Sequence, residues 1–173
     1  DFTDKYYAAP NRLIAKTGTL KDASLASLKG KKIGVQRSTI HDTFASKVLI
    51  ESTIVRYNKQ SEVFLDLSAG RIDAALLDGV AADYGFLRTP QGKGYGYVGE
   101  SFEDPKFFGT GVGIAVRKGD KLREELNRAI AAIRSNGTYK KIQDKYFNFD
   151  IYGPATAAAP ATPAPAKPAP AKK

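Results

Sequence analysis

The chain has 173 residues, 42% of them hydrophobic, which is enough for one domain core or two small ones. No apolar run reaches the roughly 18 residues of a membrane span, and the absence of cysteine excludes disulfides and thiolate metal sites. The net charge of +9 suggests nucleic acid, but the basic residues stand singly or in short runs such as Lys140-Lys141, so the reading is a soluble basic surface without a nucleic-acid partner.

The chain opens on Asp1-Phe2-Thr3-Asp4 with no Met and no visible signal peptide, as a processed, cloned or truncated chain would. Arg12-Leu13-Ile14-Ala15-Lys16 is the first predicted strand. Leu25 and Leu28 sit on a short helical turn that ends at Lys29-Gly30. Ile33-Gly34-Val35-Gln36 is the second strand, and Ser38 and Thr39 are N-cap candidates for a helix through Phe44 and Ala45. Ile54-Val55-Arg56-Tyr57 is the next strand, and residues 62–69 read as a helix stopped by Gly70. The apolar run from Ile72 to Leu77 has the length and character of a buried parallel strand, and it ends at Asp78. A helix is expected around 81–87, broken by Pro90 and the glycines that follow.

Residues 111–116 read as a strand. A long helix follows, with Leu122, Leu126, Ala129, Ile130 and Ile133 on one face, and Asn136-Gly137 ends it. Thr138 is the expected cap of a last helix carrying Tyr139, Ile142 and Tyr146. From Pro154 the composition changes. Six of the nine prolines (Pro154, Pro160, Pro163, Pro165, Pro168, Pro170) fall here among alanines and lysines, so residues 154–173 are expected to form a disordered tail or linker. Alternation of strands and helices predicts an α/β fold with a mostly parallel sheet.

Two strand-to-helix junctions could carry chemistry. At Gln36-Arg37-Ser38-Thr39-Ile40-His41 the helix start leaves free N–H groups suited to an anion such as a carboxylate; an ordinary capped helix is the other reading. Asp78 stands where ligands sit in open parallel sheets, just beyond a strand end, and could pair with an ammonium group; it could equally cap the helix that begins at Gly79. If both junctions face one crevice, the complementary ligand is a zwitterionic α-amino acid. His41 is the only histidine, which gives no support for a metal site or a catalytic triad and suits packing at a surface or cleft edge. Glu124 and Glu125 read as solvated charges of a helix face. No cofactor is indicated.

Several segments, in this order, resemble one family: Phe2-Thr3-Asp4-Lys5-Tyr6-Tyr7, Leu28-Lys29-Gly30-Lys31-Lys32-Ile33-Gly34-Val35-Gln36, Asp66-Leu67-Ser68-Ala69-Gly70-Arg71-Ile72-Asp73-Ala74, Gly113-Ile114-Ala115-Val116-Arg117-Lys118, and Asn136-Gly137-Thr138-Tyr139-Lys140-Lys141-Ile142 through Lys145-Tyr146-Phe147. They resemble periplasmic solute-binding proteins for polar amino acids, the lysine/arginine/ornithine- and histidine-binding branch. The resemblance implies a periplasmic-binding-protein-like (type II) fold of two lobes joined by hinge strands. Residues 1–10 would be the end of lobe one and the first hinge strand, 11–103 a complete lobe two, and 104–153 the second hinge strand and the C-terminal part of lobe one. The family begins well before Phe2, so most of lobe one is expected to be absent. With it would go a serine/threonine cluster and an arginine that pairs with the ligand carboxylate. The apolar faces of 110–153 should then stand exposed, loosely packed or self-associating.

The resemblance further implies that Asp78 binds the ligand's α-ammonium and that the backbone of Thr39-Ile40-His41 binds its α-carboxylate. Gln36 and His41 would touch its side chain or carboxylate. Close relatives often carry a hydroxyl where Ile40 stands, so here only the backbone amide can serve. The function implied is the periplasmic receptor of an ABC-type importer, binding an amino acid of the arginine, lysine, ornithine or histidine class. It would be monomeric at full length, would not insert in the membrane, and would deliver its ligand to a membrane permease. A cyclohexadienyl dehydratase-like enzyme and a membrane-receptor sensor domain are the alternatives on the same fold.

Overall fold

A computed structural model describes residues 1–153 apart from Ala9 and Asn148; the expected tail, 154–173, lies outside the described residues. The elements in chain order are β1 (Asn11–Lys16), α1 (Leu25–Leu28), β2 (Lys32–Gln36), α2 (Ile40–Val48), β3 (Thr53–Tyr57), α3 (Gln60–Ser68), β4 (Ala74–Asp78), α4 (Gly79–Ala82), β5 (Tyr95–Phe102), α5 (Pro105–Phe108), α6 (Leu122–Ser135) and α7 (Thr138–Tyr146). α4 continues as a π-helical turn, Asp83–Leu87.

The strands form one sheet in the order β3-β2-β4-β1-β5. β2 pairs in parallel with β3 and β4, as strand–helix–strand crossovers dictate. β1 is antiparallel to both β4 and β5, so it alone runs against the other four strands. The sheet is therefore mixed, and β1 begins at the edge where β4 and β5 end.

Side chains alternate across the sheet. Leu13, Ala15, Ile33, Val35 and Leu76 join Phe44 and Ala45 of α2 on one face. Ile14, Ala75 and Leu77 join Val63, Phe64 and Leu67 of α3, with Phe86 of the π turn, on the other. Each fully buried Leu, Ile or Phe contributes roughly 1.5–3 kcal/mol, so the two faces of this sheet hold most of the apolar burial among the described residues.

Three local expectations change. β5 lies where no strand was expected; its Tyr95 and Tyr97 pack against one core and Val98 and Phe102 against the other. Residues 111–116 make no continuous strand, only isolated bridges between Tyr7 and Val112 and between Phe2 and Ala115. The reason is local: the N–H of Ile114 donates to Thr3 Oγ1 at 2.9 Å, a side chain where a ladder needs a carbonyl. Thr138 is the first residue of α7 rather than its cap, which is Gly137 at φ 78. On α6 and α7 only Ile130 is buried, while Leu122, Ile133, Ile142 and Tyr146 are exposed, as expected for this part of the chain.

Candidate functional site

β2 and β4 lie side by side, and each runs into a helix at the same edge of the sheet. β2 ends at Gln36 and reaches α2 through Arg37-Ser38-Thr39; β4 ends at Asp78, which leads directly into α4. Because β1 runs the opposite way, its first residue, Asn11, stands at this edge too, in register with Asp78 on one side and Phe102 on the other. A cavity of about 340 Å³ opens there, a volume suited to a small ligand. Asn11, Ile40, His41, Asp78, Phe102 and Phe108 line it from the sheet body, and Lys5, Gly111 and Asp150 line it from the facing segments.

Asp78 fills the capping role open to it. Its Oδ1 accepts from the N–H groups of Val80 at 2.8 Å and Ala81 at 3.0 Å. This fixes the carboxylate at the cavity wall, while Oδ2 takes no hydrogen bond among the described residues. Burial, and then the Asp78 charge, raise the pKa of the Tyr7 hydroxyl, so the phenol stays protonated near that carboxylate.

At the start of α2, Thr39 caps the helix. Its Oγ1 accepts from the Asp42 N–H at 3.2 Å and donates to the Gln36 carbonyl at 2.8 Å. Asp42 turns back to accept from the Ser38 N–H at 3.1 Å. The N–H groups of Ile40 and His41 have no acceptor among the described residues. They are two free donors at the positive end of a nine-residue helix, where an anion is favoured.

His41 is mostly buried. Its ring lies 5.7 Å from that of Phe108, and its Nε2 is 2.9 Å from Asn11 Oδ1. Burial pulls its pKa down to about 4, with Asp78 opposing the shift, so the ring is neutral at pH 7.

Ile40, His41 and Asp78 therefore share one cavity. Gln36 and Thr39 stand at the same junction but outside its lining: the Gln36 side chain donates to the Asn58 carbonyl at 3.3 Å, and that of Thr39 is committed to the cap. Sequence reasoning missed Asn11 and Phe102. Nothing in their local sequence marks them; they reach the site only because β1 runs against its neighbours. An acceptor for a cation and donors for an anion thus face one cavity, a complement to a small zwitterion.

The bacterial extracellular solute-binding proteins, family 3, match this chain over residues 1–149. The L-arginine-binding protein of Pseudomonas aeruginosa is 53% identical over 156 residues, 88% of this chain and 60% of that protein. The histidine-binding periplasmic protein of Salmonella typhimurium is 47% identical over 155 residues, again 88% and 60%. The chain thus spans about 60% of the length of these curated relatives. Among solved structures, an ancestral arginine-binding protein bound to arginine superposes with a TM-score of 0.68 at 35% identity, covering 86% of this chain and 64% of that one. The chain that places Asp78 and the start of α2 on one cavity belongs to the bacterial extracellular solute-binding proteins, family 3.

Proposed function

We propose that this chain forms part of the substrate-binding component of an ABC-type importer, working in the periplasm and binding a polar or basic L-amino acid at the sheet edge. One observation carries the reading: the Asp78 carboxylate and the free N–H groups of α2 face the same cavity. Asp78 takes the α-ammonium through a charge-assisted hydrogen bond. The N–H groups of Ile40 and His41 take the α-carboxylate, and Thr39 and Gln36 hold their loop in shape. Relatives named for arginine and histidine support a ligand of that class.

The cavity lies between the sheet body and the segments carrying Lys5, Gly111 and Asp150. Hinge closure of these two walls would bury the ligand, and the closed form would be the one presented to a membrane permease. No bond is made or broken, so prephenate and arogenate, the substrates of the enzyme alternative, should pass unchanged.

A thermal-shift screen of the full-length gene product tests the reading. A ligand that binds only the native state at a concentration of 100 times its Kd adds about 2.7 kcal/mol of stability. Arginine, lysine, ornithine, histidine or glutamine should raise Tm. No shift with any of the five, or turnover of prephenate, would contradict the proposal.

A further inference from the structure

Asn11 joins two neighbouring strands, β4 and β5, to the start of α2. It is in register with Asp78 and with Phe102, its Nδ2 donates to the Phe102 carbonyl at 3.3 Å, and its Oδ1 faces His41 Nε2 at 2.9 Å. The two bonds of the amide fix each other: with Nδ2 spent as donor on a carbonyl, the atom facing the imidazole is the carbonyl oxygen. An amide oxygen can only accept, so His41 Nε2 must carry the proton. In a ring that burial keeps neutral, Nδ1 then holds a lone pair. Nδ1 accepts no hydrogen bond among the described residues, and His41 lines the cavity together with Asn11 and Asp78.

We propose that Asn11 is a positioning residue that locks His41 in the Nε2–H tautomer, so that His41 Nδ1 accepts an N–H of the bound amino acid. This rests on the amino-acid reading above. It gives the site an uncharged acceptor beside the Asp78 carboxylate. An α-ammonium carries three N–H donors, so one can go to Asp78 and another to His41 Nδ1, and neither acceptor is left unpaired.

Nitrogen-15 NMR of the histidine ring in the full-length gene product tests this, with the His41 signals assigned by their loss in His41→Gln. At neutral pH the unliganded protein should show a protonated Nε2 and an unprotonated Nδ1. Saturating L-arginine should move the Nδ1 signal in the direction of hydrogen bonding. Asn11→Leu should give mixed tautomers and weaken arginine roughly tenfold, whereas Asp78→Asn should weaken arginine and leave the tautomer as it was. The wild-type spectrum decides the matter even if Asn11→Leu does not fold. A proton on Nδ1 before ligand is added would overturn the proposal. So would an Nδ1 signal unmoved by arginine that calorimetry shows to be bound, or a single retained tautomer in folded Asn11→Leu. No heat with arginine, lysine, ornithine, histidine or glutamine would instead sink the amino-acid reading, and with it the role of Nδ1 as a ligand acceptor.

Discussion

His41 shows how one side chain ties the site to stability. Its pKa falls from 6.5 in the unfolded chain to about 4 in the fold, because burial penalises the charged ring more than Asp78 favours it. The unfolded state therefore binds the proton first. Stability is intact above pH 6.5 and falls as pH drops to about 4, by on the order of 3 kcal/mol across the window. Urea unfolding at a series of pH values should show this slope in the wild type and lose it in His41→Gln; an unchanged slope in the variant would remove His41 as its source. Asp78 was legible in the sequence as a cap or an ammonium partner. It does the first through Oδ1 alone, which leaves Oδ2 for the second. Asn11 was illegible, because its importance comes from two cross-strand registers and not from its neighbours in sequence.

At the scale of elements, the β2–α2 junction carries an unusual backbone. Ser38 has φ 61 and is the only non-glycine residue with positive φ among the described residues. A side chain in that region costs roughly 1–2 kcal/mol, and the useful bond of Ser38 runs from its backbone N–H to Asp42. Ser38→Gly keeps that bond, so it should stabilise the protein by about 1 kcal/mol, net of glycine's greater freedom when unfolded; a lower midpoint in denaturant would contradict this. The neighbouring Thr39 cap was readable because capping is local chemistry. β5 was hidden because Tyr95, Tyr97 and Val98 stand among Gly96, Gly99 and Glu100 without a sustained alternation, and only its pairing with β1 makes it a strand. The apolar run at 112–116 misled for the converse reason: its partner is a short N-terminal segment that offers the Thr3 hydroxyl in place of a carbonyl.

For the whole molecule, the doubly covered sheet was readable as α/β from its alternating elements, and the reversed direction of β1 was not, since strand direction depends on partners far along the chain. That reversal is what gathers Asn11, Asp78 and Phe102 at one edge with the start of α2. α6 and α7 leave Leu122, Ile133 and Ile142 exposed, in a chain that spans about 60% of its curated relatives. We propose that Asp78 is the charged anchor for an amino acid at this edge. The most direct test is calorimetric titration of L-arginine into the full-length gene product and its Asp78→Asn variant. Loss of the carboxylate charge should weaken binding by about 2–5 kcal/mol with the fold intact, because a buried ammonium loses its partner; equal affinity in the two proteins would contradict the account.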